Sequence, residues 1–443
     1  MALSARQIAF QALMSIETDK SYSNIVLSHI LSDFDVAPRD KAFVSMLFYG
    51  VIEKKLLLDY NLALSSERPV NQLDIPVLVI LRMGLYQLFF MDSVPPSAAV
   101  NESVKLCKDN KLYNASGYVN GVLRACAKQE KLSLPDKKRG KNKYFSVKYS
   151  CPETVIKLWR NAYGDEVTEG ILSCLDGRPP MSARVNTLKT RADKLITLLS
   201  NEGVKAEKSS VAQDCILMND TGAVEELQCY RRGLFHVQDT SSQLCCRLLQ
   251  AQSGHTVIDA CSAPGGKSFT IAEFMENQGK IISCDLYDHR LKMVRSGAER
   301  LGINIIETLE GDMSQAEILP MADRVLCDVP CSGLGIIRRK PELRYKNNLG
   351  LDTLPDLQYF ILCNVSRFVK SGGLLVYSTC TLNPQENGEN IRRFLREHSD
   401  FIPEKINLPD CVKRTIEEPD NELTLFPQTN GTDGFFISLI RKK

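Results

Sequence analysis

Two cysteines out of fifteen stand where chemistry is most easily done. Cys331 lies in Asp328-Val-Pro-Cys-Ser-Gly333, and Cys380 in Tyr377-Ser-Thr-Cys-Thr381. Each follows a short apolar run of the kind that forms a buried strand. If the two strands are neighbours in a parallel sheet, both thiols and the Asp328 carboxylate face one cleft. A thiolate is a strong nucleophile, and a second thiol with a carboxylate beside it could handle protons. A lone cysteine in such a place is usually an inert core residue. The shared strand-end position of these two is what marks them out.

A second set of residues points to a ligand. One strand ends in Asp259-Ala-Cys-Ser-Ala-Pro-Gly-Gly-Lys267 and runs into a helix. Gly265 and Gly266 allow close backbone approach, and the amides of the following helix face the turn. The pattern is neither GxGxxG nor a Walker loop, so a dinucleotide or a nucleoside triphosphate is poorly supported. The next strands end in Asp285, in Gly311-Asp312 and in Asp328. A strand-end acid suits two ribose hydroxyls, and another could accept from an exocyclic adenine amine. One such aspartate would be read as a helix cap. Four in register suit an adenosine-bearing ligand.

These residues require an α/β sheet to hold them. From residue 253 onward, strands are expected at 256–260, 280–285, 305–310, 324–328 and 373–378, with a last one at 435–441. Helices are expected at 268–275, 288–302, 353–369 and 387–397. This alternation is that of a doubly wound, Rossmann-like sheet. Residues 150–248 mix the two periods and read as a small α+β module. Its helices fall at 152–163 and 192–202, and its strands at 182–188, 215–218 and 234–237. The first ~130 residues read as all-helical. Stripes run through Ile8, Ala9, Ala12, Leu13 and Ile16, and one helix is expected through Phe43, Leu47, Val51 and 56–58. Ile80, Met83, Leu85 and 88–90 mark the next, and Pro95-Pro96 breaks the chain. Helices at 104–107 and through Val119, Val122 and Leu123 follow. The domains expected are therefore 1–133, a basic linker 134–149, 150–248 and 249–443.

Bulk properties narrow the class. With 443 residues, 44% hydrophobic and 24% charged, the chain suits several folded domains. The net charge is only +2, so any nucleic-acid contact must come from local cation clusters. Two are present, LPDKKRGKNK at 134–143 and Ile336-Ile-Arg-Arg-Lys340 with Arg344 and Lys346. Each reads either as a solvated segment or as a phosphate contact. Tyr345 reads as packing or as a base-stacking ring, and Arg392, Arg393 and Arg396 as the charged face of a helix. No CxxC pair occurs, histidines number five, and scattered thiols suit a reducing compartment, so no metal is expected. Residues 1–14 read as an amphipathic helix, not a signal peptide. The most apolar stretch, 75–91, is cut by Arg82 and is short for a membrane span. A cytoplasmic monomer, off the membrane, is the expectation.

One reaction needs this set. Carbon 5 of cytosine is too weak a nucleophile to take a methyl group unaided. A thiolate added at carbon 6 makes carbon 5 enamine-like and able to attack a sulfonium methyl. The thiolate must later leave. Spacing alone does not say which thiol attacks.

With these motifs the chain resembles the RsmB/Sun (Fmu) family of bacterial ribosomal RNA cytosine-5 methyltransferases. DACSAPGGKS (259–268), DVPCSGLG (328–335) and STC (378–380) carry the resemblance, with ARVNTLK (183–189), HVQDTSSQL (236–244) and DGFFISLI (433–440). Ala5-Arg-x-x-Ala9, Phe48-Tyr-Gly50 and residues 116–124 resemble a NusB-like RNA-binding domain. The resemblance implies a class I methyltransferase domain that uses S-adenosyl-L-methionine. Cofactor contacts are implied at Cys261, Ser262, Ala263, Pro264, Gly265, Gly266, Lys267, Asp285, Asp312 and Asp328. It implies Cys380 as nucleophile and Cys331 as the release thiol, the reverse of the DNA cytosine-5 enzymes. The substrate implied is 16S ribosomal RNA, at the cytosine conventionally numbered 967. Thr381 and Val329 depart from the Ser and Ala common in the family. Transfer RNA as substrate, or a non-catalytic RNA-binding assembly factor, are the alternatives.

Overall fold

Strands that are buried on both faces need continuous apolar runs, and such runs dominate the C-terminal half of this chain. The computed structural model describes residues 3–19, 22–34, 37–177, 179–219, 221–346 and 349–443. It divides into two units, residues 1–177 with 337–347, and residues 178–336 with 348–443.

In the first unit, the described helices are Ala5–Asp19, Ser23–Asp33, Pro38–Glu53, Lys55–Ser65, Ile75–Phe90, Pro96–Asp109, Ser116–Cys126, Lys141–Tyr149 and Glu153–Ser173. Ile8, Ala9, Ala12 and Leu13 form the buried face of the first, as their spacing predicts; residues 1 and 2 of the expected helix lie outside the described residues. The single helix expected through Phe43 and residues 56–58 is two, separated at Lys54. Pro96 opens a helix rather than merely ending one, because proline fits the first helical turn. Arg82 sits in the most apolar helix because it is paired. Its guanidinium donates to Asp59 at 2.6 and 2.8 Å and to Glu17 at 2.8 Å. Helix Glu153–Ser173 loses helical geometry at Gly164, whose φ of 77° lies in the left-handed region.

Residues 337–346 pack within this helical unit. Buried Glu342 accepts from Ser23 N at 3.1 Å and Ser23 Oγ at 2.6 Å. Arg344, 1% exposed, donates to the carbonyls of Glu53, Leu175 and Ile337. Tyr345 donates to Ser150 O at 2.8 Å, so its ring is packing. Lys340 and Lys346 lie over the Tyr22 ring at 4.7 and 4.3 Å. Of the other basic segment, Lys141 pairs with Asp165 and Lys137 with Glu169 at 3.9 Å.

The second unit holds two sheets. Strands β1 (Met181–Val185), β2 (Lys205–Lys208), β3 (Cys215–Asn219) and β4 (Phe235–Val237) form an antiparallel sheet in the order β2-β3-β1-β4. β2 escaped the periodicity because it is short, polar and largely exposed. The larger sheet contains β5 (Thr256–Asp259), β6 (Lys280–Asp285), β7 (Ile306–Glu310), β8 (Ala322–Asp328), β9 (Val369–Thr379), β10 (Phe401–Pro403), β11 (Glu422–Leu425) and β12 (Phe435–Lys442). Its order is β10-β12-β9-β8-β5-β6-β7, with β11 on β12. β5 through β9 are parallel, and β12 runs antiparallel to β9. β10 and β11 were not expected from the sequence. The parallel strands all end at one edge, and the order reverses between β5 and β8, the place where such sheets bind ligands. A buried ion pair fixes the small module to the helix Gly266–Phe274 that follows β5. Arg184 of β1 donates to Glu273 at 2.7 Å, with side chains 3% and 0% exposed.

The loop after β8 is pinned by two glycines. Gly335 N donates to Cys380 O at 3.0 Å, and Gly434 N donates to Gly335 O at 2.9 Å. A Cβ at Gly335 would stand 1.9 Å from Gly434 O, so neither backbone can give way cheaply. Gly335→Ala is expected to cost on the order of 3 kcal/mol, read as a lower thermal unfolding midpoint. An unchanged midpoint would contradict this tight crossing.

Candidate active site

The turn after β5 forms the floor of the site. Gly265 adopts φ 108°, and a Cβ there would meet the Phe269 ring at 2.4 Å, so both conformation and space call for glycine. Helix Gly266–Phe274 follows. Ser268 Oγ donates to Asp259 Oδ2 at 2.6 Å and shares a hydrogen bond of 2.7 Å with Ser283 Oγ. Asp259 Oδ1 is buried and has no hydrogen-bond partner among the described residues.

A cavity of about 200 Å³ opens beside this turn. Of the residues singled out from the sequence, Cys261, Ser262, Ala263, Pro264, Gly266, Lys267 and Asp328 line it, joined by Asp259 and Gln238. Gly265, Asp285 and Asp312 lie at the same sheet edge but outside that lining. The Asp285 side chain is 2% exposed and is engaged by Arg290 Nη1 at 3.1 Å and Ala263 N at 3.3 Å. Asp312 is exposed and accepts from Ser314 N, Ser314 Oγ and Gln315, a local turn of the kind strand-end aspartates often make. Three aspartates, Asp239, Asp259 and Asp328, against one lysine give the cavity the acceptor set for a ligand bearing positive charge.

Lys267 Nζ is 2.7 Å from Asp328 Oδ2, and Ser378 Oγ donates to Asp328 Oδ1 at 2.7 Å. Burial works against the Lys267 charge, but Asp328 outweighs it and the ammonium is held above its usual range. Both Asp328 oxygens are thereby oriented. The register of β8 and β9 puts Asp328 opposite Ser378. Three residues beyond the one and two beyond the other stand the thiols, with Cys331 Sγ 2.9 Å from Cys380 Sγ. The Cys331 thiol is pushed well above the ordinary cysteine range, first by its hydrogen bond with Cys380, then by burial and by the charges of Cys380 and Glu386. Nine of the other thirteen cysteines are buried, as core thiols are.

Sequence reasoning passed over Glu386, whose carboxylate accepts from Ser332, Gln358 and Asn383. The only local signal was the turn former Asn383-Pro384 just past Cys380. Arg393 pairs with Asp356 at 2.9 Å, in keeping with a charged helix face.

A doubly wound sheet with this glycine turn and strand-end acids has the class I methyltransferase arrangement. Comparison with known proteins narrows it. Residues 246–441 match the model of the 16S rRNA methyltransferase RsmB/F family, residues 3–128 the NusB family, and residues 151–225 the ferredoxin-like domain of RsmF/B-like methyltransferases. A probable ribosomal RNA small subunit methyltransferase B of Bacillus subtilis is 36% identical over 450 residues, covering 99% of both chains. The ribosomal RNA small subunit methyltransferase B of Escherichia coli O157:H7 is 31% identical, covering 99% of this chain and 98% of that one. The crystal structure of PH0851 superposes with a TM-score of 0.84 at 26% identity, over 100% of both chains. The chain belongs to the RsmB/F family of 16S rRNA methyltransferases. It is a methyltransferase with a NusB helical domain and a ferredoxin-like module, and the family is S-adenosylmethionine-dependent.

Burial raises the Asp259 carboxyl to about 7, against the Ser268 hydrogen bond and with help from Asp328. Its proton is therefore held more tightly in the fold than in the unfolded chain. The stability it confers is full below about pH 4 and is lost as pH rises to about 7. Asp259→Asn should remove this loss, so variant and wild-type unfolding midpoints should converge or cross in the variant's favour across that window. The change corresponds to a few kcal/mol, on the order of the pKa shift times 1.4. Parallel midpoint curves would contradict it.

Proposed function

We propose that the chain transfers the methyl group of S-adenosylmethionine to carbon 5 of a cytosine in 16S rRNA, the one conventionally numbered 967. The observation that carries this reading is the thiol pair, 2.9 Å apart, beside an oriented Asp328. Residues 261–267, with Asp285, Asp312 and Asp328, are the proposed hold on the cofactor. The cavity's aspartates suit its positive charge, and Asp259 Oδ1 is a buried acceptor beside it. When bound, S-adenosylmethionine supplies an electrophilic methyl group.

Every other step falls to side chains. The target base must leave its stack to reach the thiols. Cys380, its proton first lost to solvent, bonds as the thiolate through Sγ to cytosine carbon 6 while Asp328, held by Lys267 and Ser378, steadies the polar edge of the base. Carbon 5 becomes nucleophilic and would take the methyl group as the sulfonium S–CH3 bond breaks, with S-adenosylhomocysteine as the leaving group. It then carries both that methyl and its original proton. Cys331 gives its proton to Cys380 as the Cys380–carbon 6 bond breaks, and takes the carbon-5 proton, restoring the ring.

Cys380→Ala is expected to abolish transfer of label from the cofactor to 16S RNA while cofactor binding persists. Near-wild-type turnover would overturn the covalent mechanism. Cys331→Ala is expected to accumulate a protein–RNA adduct that survives denaturing electrophoresis. An adduct confined to the Cys380 variant would mean that the roles are exchanged. Bisulfite mapping of the RNA identifies the modified cytosine.

A further inference from the structure

The loop that carries Cys331 has no regular secondary structure, so its position must be fixed by side chains. Glu386 is 0% exposed, and both of its carboxylate oxygens are doubly bonded. Oε2 accepts from Ser332 N at 2.9 Å and Gln358 Nε2 at 2.8 Å. Oε1 accepts from Ser332 Oγ at 2.6 Å and Asn383 Nδ2 at 3.0 Å. Ser332 Oγ shares a further hydrogen bond of 2.7 Å with Thr381 Oγ1. Ser332 and Thr381 are the residues that follow the two cysteines. Gln358 Nε2 also donates to Pro330 O at 2.9 Å, on the other side of Cys331. One buried carboxylate thus grips the backbone around one thiol and, through Ser332, the residue beside the other. Burying a charge is costly unless its hydrogen bonds are complete, and a neutral amide could not replace it, because its nitrogen would face donors.

We propose that Glu386 is a positioning residue that holds Cys331 against Cys380 and so governs resolution of the covalent adduct. It acts through Ser332 rather than by touching substrate. Its negative charge also helps to keep the Cys331 thiol protonated, after the Cys380 hydrogen bond and burial. This inference rests on the covalent mechanism above, in which Cys331 releases the product.

The test uses full-length protein, 16S RNA and labelled cofactor, with Cys331→Ala as the reference. Glu386→Gln is expected to lower kcat at least tenfold, to leave the KM for RNA and cofactor within about twofold, and to accumulate the denaturation-resistant adduct. Ser332→Ala, which deletes one donor and leaves the backbone N–H, is expected to give a smaller accumulation. Should Glu386→Gln fail to fold, Ser332→Ala decides alone: adduct above the wild-type level supports the role, and none overturns it. Loss of turnover in Glu386→Gln without adduct, while Cys331→Ala does trap one, overturns the role of Glu386 only. Absence of adduct in Cys331→Ala itself overturns the covalent mechanism, and the role of Glu386 with it.

Discussion

The parallel pairing of β8 with β9 is the constraint on which the rest of the site depends. It sets Asp328 level with Ser378, and the chain lengths beyond those residues then bring Cys331 and Cys380 within 2.9 Å. Nothing in either loop alone would do this. A shift of one residue in that register would turn Ser378 away from Asp328 and separate the thiols. The register is protected on the far side of β9 by β12, whose buried apolar run covers that edge. It is protected beyond the strands by the Gly335–Gly434 crossing and by Glu386.

Charge at the sheet edge is arranged with the same economy. Asp259, Asp285 and Asp328 end neighbouring or nearby strands, and each carboxylate raises the proton affinity of Asp259 or is held by a specific partner. Lys267 leaves the glycine turn to neutralise Asp328, which couples the ligand-facing turn to the thiol-bearing loop. An acid-rich cavity with a single countercharge is better matched to a cationic ligand than to a phosphate. The sequence motif argued the same from another direction, since it lacks both phosphate-binding patterns.

Much of this was readable in advance. Parallel strands are buried on both faces, so β5, β6, β8 and β9 appear as plain apolar runs ended by Asp or by Ser-Thr-Cys, and their helices follow at regular intervals. The α-helical N-terminal domain was equally plain, because its stripes repeat at helical spacing. What failed to show was short, polar or dependent on distant partners. β2, β10 and β11 have three to four residues each and give no period to detect. Helix Ser23–Asp33 was missed, and the break at Lys54 falls within Glu53-Lys54-Lys55, which holds neither Gly nor Pro to mark it. The cations at 338–346 read as a loop, whereas Arg344 is buried among backbone carbonyls that only the tertiary structure supplies. Glu386 was invisible for the same reason, since Ser332 lies 54 residues before it and Gln358 lies 28. Strand ends located the two thiols, but the division of their roles came from family resemblance.

The central claim is that Cys380 forms the bond to the base. Its most direct test is to react the wild-type protein and cofactor with 16S RNA in which the target cytosine carries fluorine at carbon 5. That substitution leaves no proton to remove and so freezes the adduct. After nuclease and protease digestion, tandem mass spectrometry should find the methylated fluorocytidine nucleotide on Cys380. Finding it on Cys331, or finding no protein-bound nucleotide while methylation of ordinary RNA proceeds, would contradict the account.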